Sequence, residues 1–193
     1  MTIGILALQG DFEEHAQVLR DLGITPVFVT RPEQLEGLQG LILPGGESTT
    51  MTRLIRVEGL EPPLRELQRR GVPVFGTCAG VILMARALVQ PDPRVVTLGF
   101  LDIVVERNAY GRQRESFEVT LQVKGVGPVP AVFIRAPKIV KVGPSVEVLA
   151  EHEGTPVLVR QDRFLGATFH PEVVPTPEIH RMFLEMVQAV PTG

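Results

Sequence analysis

Continuous apolar runs and amphipathic stretches alternate through the first half of the chain. "TIGILAL" is apolar until it stops at Gln9-Gly10, and a run of this kind predicts a strand covered on both faces. "DFEEHAQVLRDLG" follows, with Phe12, Ala16 and Leu19 at helical spacing, Asp11 as the N-cap and Gly23 as the stop. "TPVFVT" and "LQGLILPGG" predict two more strands, and "ESTTMTRLIRV" and "EPPLRELQRRG" predict helices, the second stopped by Gly71. "VPVF" predicts a fourth strand, which runs through "GTCAG" into an apolar helix, "VILMARALV". Apolar strands separated by amphipathic helices make a parallel sheet with helices on both faces.

From about Val95 the pattern turns β-branched and alternating. "VVTLGFLDIVVER", "SFEVTLQV", "AVFIRA", "VEVLAEHEG", "TPVLVRQ" and "RFLGATFH" predict strands, with turns at Lys124-Gly125, Gly127-Pro128 and Glu153-Gly154. A closing helix, "TPEIHRMFLEMVQAV", puts Ile179, Met182, Phe183, Met186 and Val187 on one face. No repeat, linker or low-complexity stretch divides the chain, so residues 1–193 are expected to form a single domain with a β-rich C-terminal half.

Composition narrows the function. The chain has 193 residues, 44% of them hydrophobic and 21% charged, and a formal charge of −3, which fits an ordinary globular protein. It lacks the basic surplus of a nucleic-acid-binding face, so nucleic acid is not an expected partner. One cysteine cannot form an internal disulfide, and "MTIGILALQG" has neither a basic leader nor an apolar run long enough to cross a membrane. A cytoplasmic location and no membrane contact are therefore expected.

The candidate chemistry centres on that cysteine. In an open parallel sheet, ligands gather at the carboxyl ends of the strands, where "VPVF" delivers Gly76-Thr77-Cys78-Ala79-Gly80. G-x-C-x-G matches the serine nucleophile elbow with sulfur in place of oxygen, and a helix N-terminus favours an anion there. A buried cysteine packing beneath a helix is the competing reading. A nucleophilic thiol needs a base, and four histidines are available. His15 and His180 fall within predicted helices among polar neighbours, which suggests solvated surface. His152 falls in a turn. His170, in "FLGATFHPEV", ends an apolar strand, and an extended backbone before Pro171 would put Glu172 on the same side, able to orient the imidazole; a plain turn is the alternative. "LILPGGESTT" also ends a strand at this edge. It lacks the lysine and spacing of a phosphate loop, and an N–H from Gly46 with one from Ala79 could bracket a tetrahedral oxyanion. A simple glycine turn remains open.

G-x-C-x-G after a strand, P-G-G-E-S after an earlier one and F-H-P-E near the C-terminus resemble the class I, triad-type glutamine amidotransferase family. Within it, the chain most resembles the branch that supplies the glutaminase subunits of two-component pyridoxal 5′-phosphate synthases. The blocks "LALQGDFEEH", "RPEQL", "LILPGGESTTM", "FGTCAG", "VVERNAYGRQ.ESFE", "VFIRAP" and "GATFHPE" carry that likeness almost from end to end, while "RALVQPDPRV" matches less well. The resemblance implies a flavodoxin-like, three-layer α/β/α fold with a mostly parallel central sheet. It implies Cys78 as nucleophile, His170 as base and acid, Glu172 as the orienting carboxylate, and Gly46 and Ala79 as oxyanion donors. Glu47, Ser48, Arg107, Ile134 and Arg135 would contact L-glutamine, although both arginines also read as surface charges; Arg107 could grip the α-carboxylate in a fork. The implied activity is hydrolysis of L-glutamine to glutamate and ammonia, handed to a synthase subunit in a hetero-oligomer, weak until that partner docks, with no metal and no cofactor of its own. The alternatives are another cysteine-dependent amidase and a non-catalytic regulatory subunit.

Overall fold

The computed structural model describes residues 1–107, 116–174 and 176–190; positions 108–115 of the "VVERNAYGRQ.ESFE" block lie outside them. A seven-stranded sheet organises the chain. Its parallel part comes from β1 (Ile3–Leu6), β2 (Val27–Val29), β3 (Gly40–Leu43), β4 (Val74–Thr77) and β12 (Phe164–Ala167); β11 (Thr155–Gln161) and β10 (Glu147–His152) add antiparallel strands at one side, giving the order β10-β11-β12-β4-β3-β1-β2. The fold is α/β with a mostly parallel central sheet.

Alternation along the strands sorts the core into two layers, because successive side chains leave a strand on opposite faces. On one face Ile3, Ile5, Ile42 and Phe75 pack with α1 (Phe12–Asp21) and α5 (Pro177–Gln188), and with a hairpin of β7 (Ser116–Val123) and β8 (Gly127–Ile134). On the other, Leu6, Leu41, Leu43 and Val74 pack with α2 (Ser48–Val57), α3 (Glu61–Arg70) and α4 (Ala79–Met84), and with a small sheet of β5 (Ala85–Leu88), β6 (Leu101–Glu106) and β9 (Lys138–Val142).

Two expectations change, and one strand was not expected. The helix expected over "VILMARALV" ends at Met84, where Ala85 turns extended (φ −65°, ψ 155°), and Ala85–Leu88 pairs in parallel with β6. A short buried apolar run has no period that separates helix from strand, so the pairing partner decides. "KIVKV", given no element in the sequence pattern, forms β9 at the edge of the small sheet, where lysines are tolerated. Gly127-Pro128 opens β8 instead of making a turn; the turn lies over 124–126. Among the described residues, no helix is long and apolar enough to cross a membrane.

Candidate active site

Four parallel strands end at one edge, and the segments that leave them build the site. β4 and β12 are hydrogen-bonded neighbours with Thr77 opposite Ala167, so the next residues of each strand emerge side by side. Cys78 N–H donates to the Ala167 carbonyl at 2.8 Å, tying the turn after β4 to the end of β12. This pairing brings Cys78 to His170 although they lie far apart in the chain. β3 delivers Gly45 to Ser48 beside them, and β1 delivers Gln9 to Asp11.

Cys78 occupies a strained left-handed position, φ 50° and ψ −109°, between β4 and α4. Its glycines are needed for contact: a Cβ on Gly80 would come within 2.1 Å of the Leu43 carbonyl oxygen, and one on Gly76 within 2.4 Å of Met84 Sδ. The elbow is therefore pressed against β3 and its own helix. Cys78 is 7% exposed; its thiol reaches the Ile134 carbonyl at 3.8 Å and lies close enough to His170 to affect its charge.

His170 Nδ1 lies 2.8 Å from Glu172 Oε2. The pair meets on a turn, not on the extended backbone expected from Pro171: residues 171–174 turn, with Val173 N–H on the His170 carbonyl. The backbone N–H of His170 donates to the Val132 carbonyl at 2.8 Å, which ties the residue's backbone to β8. Burial opposes charge on His170, but hydrogen bonds with Asp11, Cys78 and Glu172, and the Glu172 charge, outweigh it and push the imidazole pKa up. Burial likewise pushes the Glu172 carboxyl up, against the hydrogen bond from His170. The arrangement favours an imidazolium held between a thiol and a carboxylate.

Gly45, Gly46, Glu47 and Ser48 flank this group. The Gly45 carbonyl accepts from Asp11 N–H at 2.9 Å, and peptide planarity turns the Gly46 N–H away from Asp11. Glu47 N–H donates to Gln9 Oε1 at 2.8 Å, and the Glu47 carboxylate takes hydrogen bonds from the Thr49 and Thr50 hydroxyls. Ser48 opens α2 and is buried. Ala79 opens α4 directly after the thiol. Arg107 reaches the Ser48 hydroxyl at 3.4 Å and pairs with Asp92 at 2.8 Å, so it faces the candidate substrate residues and is half-buried there instead of lying free on the surface. Arg135 is exposed, next to Ile134, with φ 45°. Among the described residues, Asp11, His170 and Glu172 are the one group of three whose metal-ligating atoms all lie within 4.8 Å of one another, and His170 Nδ1 is already engaged by Glu172.

Sequence reasoning missed three residues here. Asp11 caps no N–H of α1 with its side chain; its Oδ2 lies 3.3 Å from His170 Nδ1 instead. His15 and His180, expected in solvent, are fully buried. Their helices pack against the same sheet face, and the rings meet at 2.9 Å, with His15 Nε2 also 3.0 Å from the Thr77 hydroxyl. The signal in the sequence was the position of Asp11, one residue after the glycine that ends the β1 run. Nothing in the local pattern of α1 or α5 separated a polar helix face from a buried histidine.

A model of the SNO glutamine amidotransferase family matches residues 5–189. A pyridoxal 5′-phosphate synthase subunit PdxT from Frankia alni is 53% identical over 193 residues, covering 99% of this chain and 97% of that one. A protein of the same name from Thermotoga neapolitana is 50% identical over 190 residues, covering 97% and 100%. A crystal structure described as a glutamine amidotransferase superposes with a TM-score of 0.92 at 49% identity, covering 97% and 99% of the two chains. A chain in the structure of PurLQS from Thermotoga maritima shares the fold, with a TM-score of 0.69 at 15% identity and 95% and 97% coverage.

Proposed function

Because the chain belongs to the SNO glutamine amidotransferase family, we propose that Cys78, His170 and Glu172 hydrolyse the side-chain amide of L-glutamine at the strand edge described above. The chain is a glutaminase of the kind that forms a subunit of pyridoxal 5′-phosphate synthase, and the ammonia goes to the synthase subunit, its partner in the hetero-oligomer.

The observation that carries the catalytic assignment is the Cys78 thiol, strained onto a left-handed turn beside a ring whose Nδ1 is gripped by Glu172. The sulfur attacks the amide carbon, and the N–H groups of Gly46 and Ala79 face the developing oxyanion. His170 gives its proton to the leaving nitrogen, which departs as ammonia and leaves a γ-glutamyl thioester on Cys78. His170 then takes a proton from water, the hydroxide displaces the sulfur, and glutamate leaves with the thiol restored. Glu47, Ser48, Arg107, Ile134 and Arg135 hold the amino acid, with the Arg107 fork on its α-carboxylate. The whole chain acts as one glutaminase domain. A single cysteine, which offers no disulfide, supports placing the reaction in the cytoplasm.

Mass spectrometry of the chain mixed with L-glutamine and the synthase tests the reading. A glutamyl adduct on Cys78 is expected, with glutamate release faster than without the synthase. Cys78→Ala is expected to remove both adduct and turnover, by at least about 10⁴-fold, while synthesis from free ammonia persists. A chain that reacts equally with unrelated amides would instead be a different cysteine amidase.

A further inference from the structure

Behind the catalytic carboxylate lies a dry polar chain that the reaction above leaves unused. Glu172 Oε2 is spent on His170, whereas Glu172 Oε1 is buried with no hydrogen-bond partner among the described residues. His15 Nε2 sits 3.8 Å from that Oε1 and 3.0 Å from the hydroxyl of Thr77, the residue before the nucleophile. His15 Nδ1 in turn meets His180 Nε2 at 2.9 Å. All three side chains, His15, His180 and Thr77, are completely buried.

Only one proton arrangement suits this chain. Burial holds both imidazoles neutral, His15 well below its usual range, with the neighbouring histidines adding to the effect, and His180 down to about 3. Each ring then carries one N–H. If His15 carried it on Nδ1, a lone pair on Nε2 would face the Glu172 carboxylate, and His180 would be left with an N–H on Nδ1, an atom that has no partner. Orphaned buried N–H donors are rarer than orphaned acceptors. If His180 donates from Nε2 to His15 Nδ1, both problems disappear: the His15 Nε2–H points at Thr77 and toward Glu172, and the orphaned atom of His180 is merely an acceptor.

We propose that His15 is a positioning residue for glutamine hydrolysis: its Nε2–H joins Thr77, one residue before the nucleophile, to the free face of the Glu172 carboxylate, and His180 fixes the tautomer that does so. The proposal rests on the assignment of Cys78, His170 and Glu172 above. His15 touches no reacting atom. It holds the base-orienting carboxylate and the strand that carries the thiol in one register, across two elements that meet only through tertiary packing.

Three readouts test it, all on the full chain with the synthase present for turnover. Nitrogen-15 spectra of the wild-type imidazoles are expected to show His15 protonated at Nε2 and bare at Nδ1; protonation at Nδ1 overturns the proposal without any variant. His15→Leu is expected to lower kcat for glutamine by about 10- to 100-fold, the scale on which small misplacements act, with KM little changed. His15→Gln, whose amide N–H can occupy the place of Nε2–H, is expected to recover most of kcat. Wild-type kcat in folded His15→Leu, or a His15→Gln variant as slow as His15→Leu, overturns it; if His15→Leu does not fold, the spectra and His15→Gln decide. A wild-type chain that releases no glutamate from glutamine would sink the functional assignment instead, while the tautomer can still be read.

Discussion

Asp11 Oδ2 and His170 Nδ1 stand 3.3 Å apart, on the same ring nitrogen that Glu172 Oε2 reaches at 2.8 Å. The imidazole therefore has two carboxylates at one nitrogen and Cys78 nearby. Two anions beside one ring favour its protonated form. Asp11→Asn removes one of them and keeps the shape. The imidazolium should then lose its proton at lower pH, and the alkaline limb of the kcat/KM profile for glutamine should move to lower pH. An unmoved limb would mean that Glu172 alone sets the charge of the ring.

Arg107 divides its guanidinium between Asp92 and the Ser48 hydroxyl. Hydrogen bonds from Arg94, together with the Arg107 charge, hold the Asp92 carboxyl well below its usual range, so Asp92 remains an anion at working pH. Arg107→Ala should raise KM for glutamine by about 10-fold or more, because a fork to a carboxylate is worth on the order of 1.5–3 kcal/mol, with a smaller effect on kcat. Steady-state kinetics separate the two; a change confined to kcat would remove Arg107 from substrate binding.

Gly80 has no room for a side chain, since the blocking atom is backbone, the Leu43 carbonyl oxygen, 2.1 Å from where a Cβ would lie. Gly80→Ala must push α4 away from β3 and shift the elbow. Overpacking of this kind costs about 1–3 kcal/mol, which for a chain of this size lowers Tm by roughly 2–10 °C, and the displaced thiol should lose turnover as well. Thermal unfolding and glutamine hydrolysis, measured on one preparation, check both.

The buried pair His15 and His180 makes stability depend on pH. Both imidazoles have pKa values lowered by burial, that of His180 to about 3, whereas in the unfolded chain each sits near the ordinary histidine value. Between these limits the unfolded state binds more protons, so the contribution is whole above about pH 6.5 and drains away as pH falls. At pH 5 His180 should cost about 2 kcal/mol relative to pH 7, and His15 acts in the same direction. A His15→Gln, His180→Gln double variant should therefore show a flatter decline of Tm between pH 7 and pH 5 than the wild type. Parallel declines would mean that the rings are hydrated or charged in the folded state.

Much of this protein is written locally. Alternation of apolar runs with amphipathic stretches marks β1 to β4 and α1 to α3, because hydrophobic period reports which face of an element is covered. Gly76, Cys78 and Gly80 mark the elbow, since a sharp strand-to-helix turn pressed against β3 leaves no space for Cβ atoms. His170 and Glu172 lie two residues apart and find each other within one turn. The sequence by itself thus determined β1 to β4 and α1 to α3, the turn that carries the thiol and the histidine–carboxylate pair.

Tertiary structure decided the rest. That β12 lies beside β4, so that Ala167 holds the Cys78 amide and His170 meets the thiol, is a matter of strand order, to which hydrophobic period is blind. The same non-local packing made Ala85–Leu88 a strand, drew Asp11 off its helix cap toward His170, and sealed His15 and His180 from water. A polar residue on an amphipathic helix looks solvated until another helix is laid over it, and α1 and α5, far apart in the chain, touch at His15 and His180 only once both have packed on one sheet face. The physical reason is the range of the forces involved: periodicity and sterics act within a few residues, whereas burial of a polar group and the pairing of distant strands depend on what the completed core brings together.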